Sequence, residues 1–136
     1  MSDFAGSPRG LHHVTIKAID FDATVAFYAD VVGLQPRHRW GIGDRRAVLM
    51  DTGDGSCLEI FAGGVELPVP DGAIAHFALR TNDVDSAIER VRQAGREIVM
   101  EPKDVDIQSD PVLPVRIAFF RGLDGEMVEF FQLRGH

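Results

Sequence analysis

Two histidines 63 residues apart, His13 and His76, lie in stretches that restate one another: Leu11-His-His-Val-Thr-Ile-Lys17 and Ile74-Ala-His-Phe-Ala-Leu-Arg80. As strands, both alternate. His13, Thr15 and Lys17 share one face, with Val14, Ile16 and Ala18 on the other; His76, Ala78 and Arg80 likewise oppose Ala75, Phe77 and Leu79. Two glutamates 70 residues apart recur in the same way, Glu59 in Leu58-Glu-Ile-Phe61 and Glu129 in Val128-Glu-Phe-Phe131. A single histidine or glutamate on a strand marks nothing, but four in repeat register do. Two imidazoles and two carboxylates suit a divalent ion such as Zn²⁺, Ni²⁺, Mn²⁺ or Fe²⁺, with positions left for water or substrate.

The elements that must carry these residues follow from periodicity. Asp20 is placed to cap a helix from Phe21 to about Val32, its apolar stripe being Phe21, Val25, Tyr28 and Val32 and its stop Gly33. Strands are expected near Gln35–Trp40, Ala47–Asp51 and Ser56–Phe61, divided by Gly41, Gly43 and the turn Asp51-Thr-Gly-Asp-Gly55. After a glycine- and proline-bearing linker at 62–71 the order restarts. Asp83 or Asn82 caps a second helix with the stripe Val84, Ala87, Ile88 and Val91, ended by Gly95. Glu97–Met100, Val115–Phe120 and Met127–Leu133 read as strands, and Glu101–Pro114, with three prolines, as a long loop bordering a site.

The pattern predicts an α+β fold of two βαβββ modules, about 11–61 and 72–133, within a single domain from residue 11 to 136, preceded by a flexible arm at 1–10. At the 63-residue offset Lys17 meets Arg80, Asp20 meets Asp83 and Val25 meets Ile88; at the 70-residue offset Gly55 meets Gly125. A pseudo-twofold between the modules would bring His13, Glu59, His76 and Glu129 together.

Composition excludes several function classes. A formal charge of −7, with 14 basic and 21 acidic residues, argues against non-specific nucleic-acid binding and against an anionic membrane surface. No run approaches a membrane span, and Met1–Gly10 lacks the pattern of a signal peptide, so a cytoplasmic location is expected. Cys57 is the sole cysteine, which leaves no intrachain disulfide and no cysteine-rich zinc site. His12 points away from His13 in an ideal strand and reads as structural or interfacial.

The motifs Leu-His-His-Val-Thr-Ile, Phe27-Tyr28 with Gly33-Leu34, Leu-Glu-Ile-Phe, Ala-His-Phe-Ala-Leu and Leu-Asp-Gly-Glu-Met-Val-Glu-Phe together resemble the vicinal oxygen chelate superfamily of glyoxalases, bleomycin-resistance proteins and extradiol dioxygenases. The resemblance runs from Leu11 to Leu133. It implies paired modules forming an open, barrel-like mixed sheet around a metal cleft, one divalent metal per site, a small-molecule substrate held through two oxygens, and a homodimer whose cleft is completed across subunits. Extradiol dioxygenases and fosfomycin-inactivating enzymes of this superfamily have no ligand where Glu59 stands, and the acyl-CoA epimerases typically have Gln there. The full His/Glu/His/Glu set looks most like glyoxalase I.

Such a ligand set suits proton abstraction beside a carbonyl, the ion polarising the carbonyl and stabilising the developing enediolate. The implied activity is a metal-dependent isomerase or lyase, and by resemblance to glyoxalase I the base is Glu129, with Glu59 second. Lys17 stands where glyoxalase I carries an arginine, so it has the charge but not the bidentate fork. Lys17, Arg80 and Arg116 are the candidates for gripping an acidic substrate, and a sugar, a keto acid or a thiol adduct other than glutathione's would serve. The rival from another class is a metal-free drug- or small-molecule-binding protein resembling bleomycin-resistance proteins, whose acidic cleft sequesters a cation. An extradiol dioxygenase-like or epimerase-like enzyme is a further alternative.

Overall fold

A computed structural model describes residues 5–6, 10–66 and 74–135. Most of the arm expected at 1–10, and the part of the linker beyond Glu66, lie outside the described residues.

Local chemistry sets the elements. Strand β1 (His13–Lys17) leads to α1 (Phe21–Ala26), whose Asp20 cap accepts from the Ala23 amide at 3.1 Å. The expected single helix to Val32 changes pitch halfway. Phe27–Val32 is π-helical, closed by the Gly33 amide on the Tyr28 carbonyl at 2.9 Å, with Gly33 at φ 96°. Glycine is needed at that left-handed position because a Cβ would be strained there. Strands β2 (Gln35–Trp40), β3 (Ala47–Asp51) and β4 (Cys57–Phe61) complete the first module.

The second module repeats the order with β5 (Phe77–Arg80), α2 (Val84–Gln93), β6 (Ile98–Ile107), β7 (Leu113–Arg121) and β8 (Met127–Leu133). Asp83 caps α2 through the Ser86 amide and hydroxyl, and the stripe Val84, Ala87, Ile88 and Val91 is buried as its spacing predicts. Truncating a side chain such as Ile88, 1% exposed, to Ala costs about 2–5 kcal/mol.

Each module makes one four-stranded sheet, β1-β4-β3-β2 and β5-β8-β7-β6, with the outer pair parallel (β1 with β4, β5 with β8) and the rest antiparallel. The mixed α+β architecture is the one expected, and the sheets do not close into a barrel. One hydrophobic cluster serves both halves. Phe21, Val25, Phe27 and Tyr28 join Ile60, Val84, Ile88, Val91, Phe120 and Phe130, so the helix-bearing faces of the two sheets share a core and leave the opposite faces free.

Residues Glu101–Pro114 correct the sequence reading. They are not a long loop, because β6 continues to Ile107 and β7 begins at Leu113. Pro102 falls where the β6–β7 register shifts, between Met100 and Lys103. At such a bulge on an edge strand no ladder hydrogen bond is lost to the missing N–H. The polar run Lys103–Asp106 hides the strand for the same reason, since a largely exposed edge needs no apolar alternation.

Candidate functional site

The register places the chemistry. In the first sheet Thr15 lies opposite Glu59 and His13 opposite Cys57, so His13, Thr15, Cys57 and Glu59 share the face turned away from the helices. In the second, Glu129 lies between Ala78 of β5 on one side and Phe119 of β7 on the other. His76 precedes β5 by one residue and presents its ring on that same face.

Each module forms one histidine–glutamate pair. His13 Nε2 is 3.4 Å from Glu59 Oε1, and His76 Nε2 is 3.2 Å from Glu129 Oε1. The imidazoles are 38% and 41% exposed while the carboxylates are only 13% and 10% exposed, so the nitrogens are open to a ligand and the glutamates are anchored beneath them. Burial raises the Glu129 carboxyl above its ordinary range, with His76 acting in the opposite direction. Desolvation disfavours the charged form, so Glu129 is the more basic carboxylate for it.

The surroundings differ. Thr15 Oγ1 donates to Glu59 Oε1 at 2.8 Å, and His12 Nδ1 lies 2.9 Å from His13 Nδ1. His12 therefore does not turn away from His13 as an ideal strand would require; it precedes β1 and is free to fold its ring back. The ring of His76 instead meets Phe119 edge-on at 5.2 Å. Residue type and spacing do not mark His12 or Phe119 as site residues; Thr15 carries a signal, standing two residues from His13 on the same face.

A cleft of about 620 Å³ runs along these strands, lined by Leu11, His13, Thr15, Cys57, Ile74 and His76 among others. The donor set, imidazole nitrogen paired with carboxylate oxygen twice over, fits a divalent ion of the Zn²⁺, Ni²⁺, Mn²⁺ or Fe²⁺ kind. Among the described residues, however, no three His, Cys, Asp or Glu side chains of one chain are placed to hold a single ion. The structure brings the four residues together as two pairs and not as a quartet.

The three candidate cations separate. Lys17 and Arg80 follow their histidines on the same faces, opposite Phe61 and Phe131, and both are exposed. Arg116 lies on the helix side of its sheet, donating to Asp85 of α2 at 2.8 Å through Nε and Nη2 and to Asp104 at 3.1 Å. Trp40 packs edge-on against Phe61 at 6.2 Å.

The sequence profile described as "Glyoxalase/Bleomycin resistance protein/Dioxygenase superfamily" matches residues 10–130. The uncharacterized protein YwbC of Bacillus subtilis (strain 168) is 27% identical over 129 residues, covering 91% of this chain and 98% of its own. Lactoylglutathione lyase GLX1 of Arabidopsis thaliana is 29% identical over 132 residues, and the match spans 91% of this chain but only 44% of that protein. A glyoxylase/bleomycin resistance protein/dioxygenase domain from Frankia sp. EAN1pec has the same fold, with a TM-score of 0.76 at 20% identity over 96% of each chain.

Proposed function

The chain belongs to the glyoxalase/bleomycin resistance protein/dioxygenase superfamily, and from that premise we propose that it is a divalent-metal-dependent isomerase or lyase of the glyoxalase type, acting on a small oxygenated substrate. The observation that carries this reading is the doubled histidine–glutamate pair, at 3.4 and 3.2 Å, in the same place in both modules. His13, Glu59, His76 and Glu129 are the ligands, and one ion per site would supply Lewis acidity, binding substrate oxygen and making the carbon beside a carbonyl easier to deprotonate.

Glu129 is the base that moves the proton, with Glu59 the second choice. Its support is environmental: burial makes it more basic, its hydrogen-bond contact among the described residues is His76, and that histidine lines the cleft. Lys17 and Arg80, on the ligand faces, hold the acidic part of the substrate. Arg116, already held by two aspartates, is left to the structure of the second module.

The working unit in this proposal is a homodimer. The two pairs, which make no group of three ligands among the described residues of one chain, become one site when the first module of one copy meets the second module of another. In support, β1 pairs only with β4 and β5 only with β8 among the described residues, leaving each an open edge. Leu11 and Ile74, repeat partners at 79% and 75% exposure, flank those edges.

Elemental analysis of protein purified without added metal or chelator, beside a His76→Ala variant, tests the reading. About one divalent ion per site in the wild type, lost from the variant, is the expected result, and turnover of aldehyde–thiol adducts is then the first assay. No metal in either, even after reconstitution with Ni²⁺, Zn²⁺ and Mn²⁺, would replace it with metal-free ligand sequestration in the cleft.

A further inference from the structure

The two histidine–glutamate pairs have matching geometry and unlike surroundings, and the repeat makes the comparison controlled. In the first module Thr15 Oγ1 donates to Glu59 Oε1 at 2.8 Å and the His12 and His13 Nδ1 atoms lie 2.9 Å apart, their rings edge-on at 5.1 Å. At the 63-residue offset the positions of His12 and Thr15 are taken by Ala75 and Ala78. Thr15 is opposite Glu59 in the ladder just as Ala78 is opposite Glu129. The ladder register is the same at Thr15 and Ala78, and Ala75 and Ala78 offer no side-chain donor or acceptor.

These contacts do specific things for a cation ligand. A carboxylate that accepts a hydrogen bond from a hydroxyl loses the freedom to rotate away from its neighbour, so Glu59 meets an ion already oriented. A metal on His13 Nε2 requires the ring proton on Nδ1, and His12 Nδ1 is within reach to accept it; that fixes the tautomer and raises the basicity of Nε2. Apart from Glu129, the aromatic contact of His76 among the described residues is Phe119, which sets the ring plane but takes no proton.

We propose that Thr15 and His12 are positioning residues that make the His13–Glu59 pair the capture half of the divalent-ion site, and that His76 and Glu129 close over an ion already held. The inference rests on the metal reading above. It predicts an order of loading, with the first module binding first and more tightly.

Chelator-competition titrations with Zn²⁺ and Co²⁺, together with the visible absorption of the Co²⁺ form, test it without any turnover assay. Thr15→Val is expected to weaken binding about 10–100-fold, the usual size for loss of a partner behind a metal ligand, and to alter the Co²⁺ bands, while Thr15→Ser restores both. His12→Phe, which keeps a ring but no acceptor, is expected to weaken binding in the same direction, and Ala78→Thr to strengthen it. Restoration by serine separates positioning from a folding defect. Unchanged affinity and an unchanged Co²⁺ spectrum in Thr15→Val, with wild type binding normally, overturn this inference and leave the metal site standing. A wild type that binds neither ion overturns both.

Discussion

Between β3 and β4 the turn keeps its contacts within its own module: Asp51 Oδ1 accepts the Gly53 and Gly55 amides at 2.7 and 3.2 Å while Oδ2 lies 3.6 Å from Arg37 Nε, and Asp54 Oδ1 accepts the Ser56 amide and hydroxyl. The turn between β7 and β8, in the same place in the repeat, reaches into the other module instead. Asp124 accepts the Ile19 amide and the Thr24 hydroxyl, both at 2.7 Å, and Glu126 Oε2 accepts the buried Tyr28 hydroxyl at 2.6 Å. Asp54 and Asp124 correspond, as do Gly55 and Gly125. The next position decides the outcome, because Ser56 is short enough to fold back on Asp54 while Glu126 is long enough to cross. Gly122 belongs to this device, since a Cβ there would collide with the Glu126 carboxylate. One module thus closes its own turn, and the other uses its turn to fix how the modules sit.

The sites repeat the contrast in reverse: the first module holds Glu59 with a hydroxyl, and the second leaves Glu129 among apolar side chains. The sharpest way to break that contrast is to neutralise each carboxylate in turn. Glu129→Gln is expected to keep the ion and lose about 10²–10⁴-fold in turnover, the size of a general-base contribution, whereas Glu59→Gln is expected to lose the ion. Undiminished turnover in Glu129→Gln removes Glu129 from the role.

A mixture of variants asks whether the unlike halves meet across chains. His13→Ala and His76→Ala proteins are each expected to bind no metal at full affinity. Refolded together in equal amounts, they should regain about a quarter of the wild-type content, because a twofold dimer of one variant with the other has one intact site of its two. A mixture that stays empty places the whole site in a single chain.

Smaller effects probe the turns. Tyr28→Phe leaves a buried Glu126 oxygen without its donor and is expected to cost about 1–3 kcal/mol in denaturant melts. Asp51→Ala removes the turn's own hydrogen bonds and a pair with Arg37 in the same module, leaves the other module untouched, and should lower the melting temperature by less. Equal losses would show that the crossing turn is no more important than the closed one.

The mildest prediction concerns pH. Burial holds the Glu126 carboxyl above its ordinary value, outweighing the hydrogen bond from Tyr28. A folded-state value above the unfolded one means that the native chain keeps its proton longer. That contribution is complete below the unfolded value and is lost as pH rises through the folded one. Asp51, Asp54, Asp83, Asp85 and Glu101 are lowered and act oppositely, their contribution fading as pH falls. The difference in stability between wild type and Glu126→Gln isolates the first effect, and a difference that does not vary with pH through the carboxylate range would dismiss it.

Much of this was legible in the residues. Caps at Asp20 and Asp83 and the stripes of both helices follow from local hydrogen bonding and helical period, which do not depend on distant contacts. The strands at Gln35–Trp40, Ala47–Asp51 and Met127–Leu133 were readable because turn residues bound them. Strand β6 was not, because Pro102 and a polar edge remove the signal that alternation gives. The role of Glu126 was also hidden. Its partner Tyr28 is 98 residues away, and no local pattern marks a carboxylate as buried.

The sequence by itself determined the doubling: two strands with a histidine, two with a glutamate, at offsets that make them equivalents, since alternation in a strand settles which side chains share a face. Only the tertiary structure decided which residues stand behind them. Thr15 reaches Glu59 because β1 runs parallel to β4 in one register, His12 reaches His13 because it lies just outside the strand, and Arg116 is drawn to Asp85 because its face looks toward α2. Each of these depends on distances between elements that sequence spacing does not encode, and a hydrogen bond is made or lost within a few tenths of an ångström.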